Sequence, residues 1–139
     1  MSNQATDSTN NLENNRKSNS RTILVVEDDE AIRESLQEAL ESDGYEVFTA
    51  EDGKLGLEML DRMPRPCLIL LDLMMPVMNG WQFLEKMKED TALATIPVVA
   101  VTAAGDRGKT APADMLIKKP VDLDNLLSVI EKFCQAPKK

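Results

Sequence analysis

Seven polar residues of this 139-residue sequence stand directly behind short apolar runs. Glu27, Asp28 and Asp29 follow TILVV, Asp72 follows LILL, Thr102 follows VVAV, and Lys118 and Lys119 follow MLI. One aspartate in such a place is more often a helix cap than a site. Gathered on one rim, the group has a chemistry of its own. Two carboxylates about 4 Å apart at an effective dielectric near 20 repel by roughly 4 kcal/mol, so three of them need a proton, a cation or a lysine nearby. Oxygen ligands that leave positions for water and phosphate suit Mg2+. A lysine ammonium and a threonine hydroxyl opposite the acids complete a pocket for a phosphoryl group. One carboxylate can then act as nucleophile toward phosphorus, giving an aspartyl phosphate, while metal, lysine and hydroxyl stabilise charge on the equatorial oxygens.

The elements that would gather these residues can be read from hydrophobic periodicity. Thr22–Val26, Tyr45–Ala50, Cys67–Leu71, Ile96–Val101 and Met115–Ile117 are predicted strands, several of them apolar on both faces. Ile32, Leu36, Ala39 and Leu40 recur at helical spacing, and Gly44 closes that helix. Asp52 caps a second helix carrying Leu57 and Leu60, which stops before Pro64. Trp81, Phe83, Leu84 and Met87 mark a third. Leu123, Leu126, Leu127, Ile130 and Phe133 mark the last, capped by Asp122. Alternating strands and helices predict an α/β fold with a doubly wound parallel sheet. In such folds the ligand site lies beyond the carboxyl ends of the strands, near a switch in strand order. The seven polar residues fall there.

Composition narrows the function classes. Lys plus Arg is 16, Asp plus Glu is 24, and there is no histidine, giving a formal charge of -8. A chain this acidic does not hold nucleic acid by neutralising phosphates. The acidity is concentrated in residues 21–62, which carry 13 acids against Arg21, Arg33, Lys54 and Arg62. The absence of histidine excludes an imidazole base, a phosphohistidine or a zinc imidazole in this sequence. No apolar stretch reaches the roughly 18 residues of a membrane span, and no basic-then-apolar signal peptide opens the sequence. Residues 1–20, rich in Asn and Ser, are expected to be a disordered leader. The folded domain is expected over 21–135, with a short tail over 136–139. Cys67 and Cys134 lack CxxC spacing and sit among apolar residues, so they are expected as buried free thiols in a reducing cytoplasm.

The segments VVEDDEAIRESL, LILLDLMMPVMNGW, VVAVTAA and LIKKPVD resemble, in the same order, the receiver domain of bacterial two-component response regulators, of the stand-alone chemotaxis type. The resemblance implies a flavodoxin-like, five-stranded sheet. It also implies that Asp72 is the phosphoacceptor, with Glu27 and Asp28 as the acidic pair. Asp28 and Asp72 would bind Mg2+ directly, with the Met74 backbone carbonyl contributing. Thr102 would be the switch hydroxyl and Lys119 the site lysine, joined to Pro120 by a cis peptide. Asp29 would cap the first helix. The implied activity is not that of an enzyme but of a phosphoacceptor that assists its own phosphorylation and dephosphorylation. The implied donor is a phosphohistidine on a sensor histidine kinase or histidine phosphotransfer protein, docking by the acidic first helix. A cytoplasmic monomer acting on a further protein target is expected, with no nucleic acid or membrane partner.

Departures from the family pattern are informative. Only 17 positions separate Thr102 from Lys119, and GDRGKTAPAD between them has two glycines, a proline and no apolar period. The fourth helix is therefore expected to be a single turn or absent. Leu116 occupies the family's aromatic switch position, and Asn79 replaces its usual aspartate. Met74 and Ala104, two residues after Asp72 and Thr102, cannot orient a hydrolytic water, so a phosphoryl group lasting minutes or longer is expected. Trp81, the only tryptophan, is expected to pack partly on the third helix and report Mg2+ by its fluorescence. Two other readings compete. One is a pseudo-receiver scaffold, against which the full set of acids, threonine and lysine argues. The other is a carboxylate-nucleophile phosphohydrolase, which needs an acid at position 74, where Met stands.

Overall fold

Strands that are apolar along their whole length have no face to give to water, and both faces must be covered. The computed structural model, which describes residues 21–103 and 105–134, covers them with helices. In chain order the elements are β1 (Thr22–Val26), α1 (Glu30–Ser42), β2 (Glu46–Ala50), α2 (Gly53–Leu60) and β3 (Leu68–Asp72). They continue with α3 (Gly80–Lys88), β4 (Val98–Thr102), a 3-10 segment (Gly105–Thr110), β5 (Met115–Lys118) and α4 (Leu123–Phe133). All strand pairings are parallel, in the order β2-β1-β3-β4-β5. The expected leader over 1–20, the tail over 136–139 and Ala104 lie outside the described residues.

Alternate residues of each strand enter opposite cores. Leu24, Val26, Ile69 and Leu71 pack with Phe83, Leu84 and Met87 of α3. Ile23, Val25, Leu68 and Leu70 pack with Leu36 and Leu40 of α1 and with Leu126, Val129 and Ile130 of α4. The edge strand β2 alternates instead, with Glu46 exposed and Val47 buried, because an edge needs an apolar residue only where a helix lies over it. Helix starts are set by local hydrogen bonds. The side chains of Asp29, Asp52 and Asp122 accept from the backbone N–H groups of Ile32, Leu55 and Asn125, three residues on. Gly44 follows α1 at φ 97°, the left-handed conformation that favours glycine at a helix end.

Among the described residues, the connection between β4 and β5 contains no α-helix. Two turns of 3-10 helix, Gly105–Thr110, stand in its place, as the glycines and Pro112 predict. β5 is correspondingly only half-buried, with Lys118 exposed.

One expectation is overturned. Cys67 and Cys134 are joined in a disulfide, with Cα atoms 5.4 Å apart, and no described cysteine is free. Helix α4 packs on the sheet and runs back against the strand direction, so its carboxyl end returns to the amino-terminal edge where Cys67 precedes β3. Sixty-seven residues of separation conceal this from any spacing rule. The bond also withdraws the support that free thiols lent to a reducing compartment. No described helix is long and apolar enough to cross a membrane.

Candidate functional site

The strand order reverses at β1 and β3, and the crevice beyond their carboxyl ends is the candidate site. Glu27 leaves β1 with its N–H bonded to the Ala50 carbonyl at 3.0 Å, which turns its side chain inward to 2 % exposure. The Asp29 N–H donates to Glu27 Oε2 at 3.1 Å. Arg33 Nη1 donates to the Glu27 carbonyl at 2.9 Å. Asp72 ends β3 and is 4 % exposed, while Asp28 stays exposed to solvent. One carboxylate oxygen from each of Glu27, Asp28 and Asp72 lies within 4.8 Å of the others.

The balancing charge comes from across the sheet. The Lys119 N–H donates to the Thr102 carbonyl at 3.0 Å, and the Lys119–Pro120 peptide is cis, as expected. Lys119 Nζ donates to Glu27 Oε1 at 3.0 Å and lies 3.6 Å from Asp72 Oδ2. One ammonium thus meets two of the three clustered carboxylates. Burial, and then the charge of Glu27, push the Asp72 carboxyl from 3.8 to about 7, against the opposing pull of the Met74 N–H and of Lys119. Burial works to lower Lys119, but its bond to Glu27 and the charge of Asp72 outweigh that and raise it above the ordinary value.

The loop after Asp72 is held by close packing. The Met74 N–H donates to Asp72 Oδ1 at 3.1 Å. Asn79 caps α3 in a reciprocal box with Gln82, so asparagine serves the cap as an aspartate would. A Cβ on Gly80 would stand 2.7 Å from Leu73 Cα and 2.8 Å from the Asp72 carbonyl oxygen. Only glycine lets α3 start this close to Asp72. Val77 lies in the same loop at φ 67° and is 75 % exposed. A branched residue there carries strain of about 1 kcal/mol that an asparagine does not. We expect Val77→Asn to raise stability by about that amount in urea denaturation, and an unchanged midpoint would show the loop to be unstrained.

The chain matches the family model described as response regulator receiver domain over residues 23–131. It belongs to the response regulator receiver family. Among curated relatives, the receiver is 39 % identical over 118 residues to the transcriptional regulatory protein CrdR of Helicobacter pylori, covering 81 % of this chain and 54 % of that protein. It is 40 % identical over 116 residues to the phosphate regulon transcriptional regulatory protein PhoB of Escherichia coli, covering 80 % and 50 %. The chain spans about half the length of these relatives. A solved receiver domain of a signal transduction histidine kinase from Syntrophus aciditrophicus superposes with a TM-score of 0.75 at 32 % identity, covering 81 % of this chain and 88 % of that one. The receiver domain of PA1611 from Pseudomonas aeruginosa, which holds a magnesium ion in its active-site cleft, gives 0.75 at 26 % identity, covering 81 % and 96 %. Receiver domains of response regulators are phosphoacceptors in two-component signalling, supplied by histidine kinases, and not classical enzymes.

Of the residues singled out in the receiver sequence, Glu27, Asp28, Asp72 and Lys119 meet in space. Thr102 ends β4 opposite Lys118 and is 1 % exposed. Met74 is 47 % exposed and touches Asp72 through its backbone N–H. Asp29 caps α1, and Lys118 is exposed at the end of β5. Trp81 reaches further than α3: its indole N–H donates to Thr110 Oγ1 at 3.0 Å, and the Arg107 guanidinium lies 5.0 Å above its ring. Arg33 and Gly108 escaped the sequence reading. A lone arginine in an otherwise acidic first helix was the available signal for the former, and nothing in the local pattern marked the latter.

Proposed function

We propose that Asp72 accepts a phosphoryl group from a partner's phosphohistidine, making this receiver a phosphorylation-dependent switch or a relay intermediate. The observation that carries this reading is the position of Asp72, buried at the rim between an acidic pair and one lysine. The cluster fits Mg2+. Its oxygens lie close together, Asp28 opens it to solvent, and the raised Asp72 carboxyl marks negative charge that a cation relieves. Asp28 and Asp72 would hold the ion directly, with Glu27 beside them and the Met74 carbonyl contributing. Bound there, Mg2+ supplies charge neutralisation for the acids and the phosphoryl oxygens.

The ionised Asp72 carboxylate attacks phosphorus as the bond to the donor imidazole breaks, and the electron pair of that bond stays on the imidazole nitrogen. Lys119 Nζ turns from Glu27 to a phosphoryl oxygen, and the Thr102 hydroxyl donates to another. The donor docks over an apolar cavity of about 660 Å3 lined by Ile32 and Leu36 of α1 and by Val121 and Leu123, which opens at Lys119. Glu30, Glu34, Glu38 and Glu41 of α1 steer a basic face toward it. The effect is a population shift, and a hundredfold change in target affinity needs about 2.7 kcal/mol of differential binding.

Incubation with labelled acetyl phosphate and Mg2+ tests the proposal. The expected result is one base-labile, hydroxylamine-sensitive phosphoryl group per chain. No uptake under these conditions, with beryllofluoride also unbound, would favour the pseudo-receiver scaffold. With Met74 two residues beyond the acceptor, the label should persist for minutes or longer after removal of acetyl phosphate, whereas loss within seconds would refute the slow-hydrolysis reading.

A further inference from the structure

Asp28 is the exposed member of the acid cluster, so its carboxylate is placed by its backbone more than by packing. The peptide unit before Asp28 presents its carbonyl, that of Glu27, to Arg33 Nη1 at 2.9 Å. The unit after it presents the Asp28 carbonyl to the same nitrogen at 3.4 Å, while its N–H, that of Asp29, donates to Glu27 Oε2 at 3.1 Å. Both peptide planes that flank Asp28 are thus held by a single guanidinium. Arg33 reaches back to them from the half-buried side of α1, whose own start is fixed by the Asp29 side chain on the Ile32 N–H. A guanidinium nitrogen carries its N–H groups in a fixed plane, which a freely turning ammonium lacks.

The geometry points to Arg33 as a positioning residue of the metal site. By bonding the Glu27 and Asp28 carbonyls it turns those oxygens toward α1 and keeps the Asp28 carboxylate facing Asp72. The inference rests on the reading of Glu27, Asp28 and Asp72 as a Mg2+ site. Without Arg33 the two peptide units are free to rotate, the Asp29 N–H leaves Glu27, and Asp28 swings away from an ion shared with Asp72. Mg2+ demands near-octahedral geometry and gives up its waters reluctantly, so a carboxylate displaced in this way is exchanged for water. Charge and position predict opposite signs for this residue. A cation beside an acid cluster repels Mg2+, so an arginine acting by charge alone would weaken binding, and its removal would tighten it. An arginine that positions a ligand weakens binding when it is removed.

Arg62 supplies the control. It lines the same surface cavity as Arg33 and pairs with Glu58 at 3.8 Å, so Arg62→Met removes the same charge and leaves the Glu27 and Asp28 carbonyls bonded. Titration of the full chain with MgCl2, followed by calorimetry and by Trp81 emission, compares these variants. Arg33→Met should bind Mg2+ about tenfold more weakly than the wild type, and Arg62→Met no more weakly. Arg33→Lys keeps the charge without the planar fork and should fall between wild type and Arg33→Met. Urea denaturation in EDTA checks that each variant is folded, and if Arg33→Met is not, Arg33→Lys against the wild type decides. Binding by Arg33→Met as tight as the wild type or tighter would overturn the role of Arg33. So would wild-type affinity in Arg33→Lys, or an equal loss in Arg62→Met. No binding of Mg2+ to the wild type by either method would instead overturn the metal-site reading on which the inference rests.

Discussion

Asp72→Asn will take up no label from acetyl phosphate, and in EDTA at pH 8 it will be more stable than the wild type. The first effect follows from removing the nucleophilic oxygen, since Glu27, the other buried acid on the same lysine, already has its two oxygens bonded to Lys119 and to the Asp29 N–H. The second follows from the electrostatics of the acid cluster when EDTA keeps cations from it. In the folded protein the Asp72 carboxyl titrates near 7, and in an unfolded chain near 3.8. Between those pH values the unfolded chain has lost its proton and the native state keeps it. The native state thus binds more protons, and stability falls as pH rises from about 4 to 7. A difference of about three pH units corresponds to at most about 4 kcal/mol. The variant lacks this titration, so its advantage should vanish below pH 4 and be complete above pH 7. Saturating Mg2+ should narrow the gap, because only the wild type keeps the complete acid cluster. Urea denaturation at pH 4 and pH 8, with EDTA or Mg2+, measures all of this. Equal stabilities at pH 8 in EDTA would show that the carboxylates in this crevice are not in conflict.

Reducing the Cys67–Cys134 disulfide is expected to cost about 4 kcal/mol, the chain entropy released when a closed loop of this length opens. For a domain of this size that is a fall of roughly 15 °C in Tm. Thermal unfolding with and without a phosphine reductant, alongside thiol titration, measures it. Cys67→Ser should match the reduced wild type. Full reduction without a change in Tm would show that α4 holds its place through Leu126, Val129 and Ile130 alone. Phosphoryl uptake at room temperature should not change on reduction. The bond lies at the amino-terminal edge of the sheet and Asp72 at the carboxyl end, a strand of five residues or about 16 Å away.

What was legible in the sequence was what neighbours in the chain decide. Continuous apolar runs located β1, β3 and β4 to within two residues, because a strand buried on both faces tolerates no polar alternate. Asp29, Asp52 and Asp122 were legible as caps because each reaches a backbone N–H only three residues ahead. The two glycines and Pro112 were enough to predict at most a single helical turn between β4 and β5. The acids, threonine and lysine were legible as neighbours at one end of the sheet because parallel strands must deliver their carboxyl ends to a common rim.

The tertiary structure alone decided which of those groups touch. Lys119 takes Glu27 rather than Asp28 as its first partner, across 92 residues, because the turn after β1 sends one acid inward and the next into solvent. Cys67 and Cys134 meet because α4 runs back along the sheet, and two lone cysteines cannot announce that path. The contact of Gly108 with Thr102 and the reach of Trp81 to Thr110 depend on how closely a 3-10 segment lies over β4 and β5. Periodicity and capping act within a turn or two of chain, so sequence order carries them. Contacts across tens of residues depend on strand twist, helix placement and side-chain rotamers, which are fixed only when both cores pack.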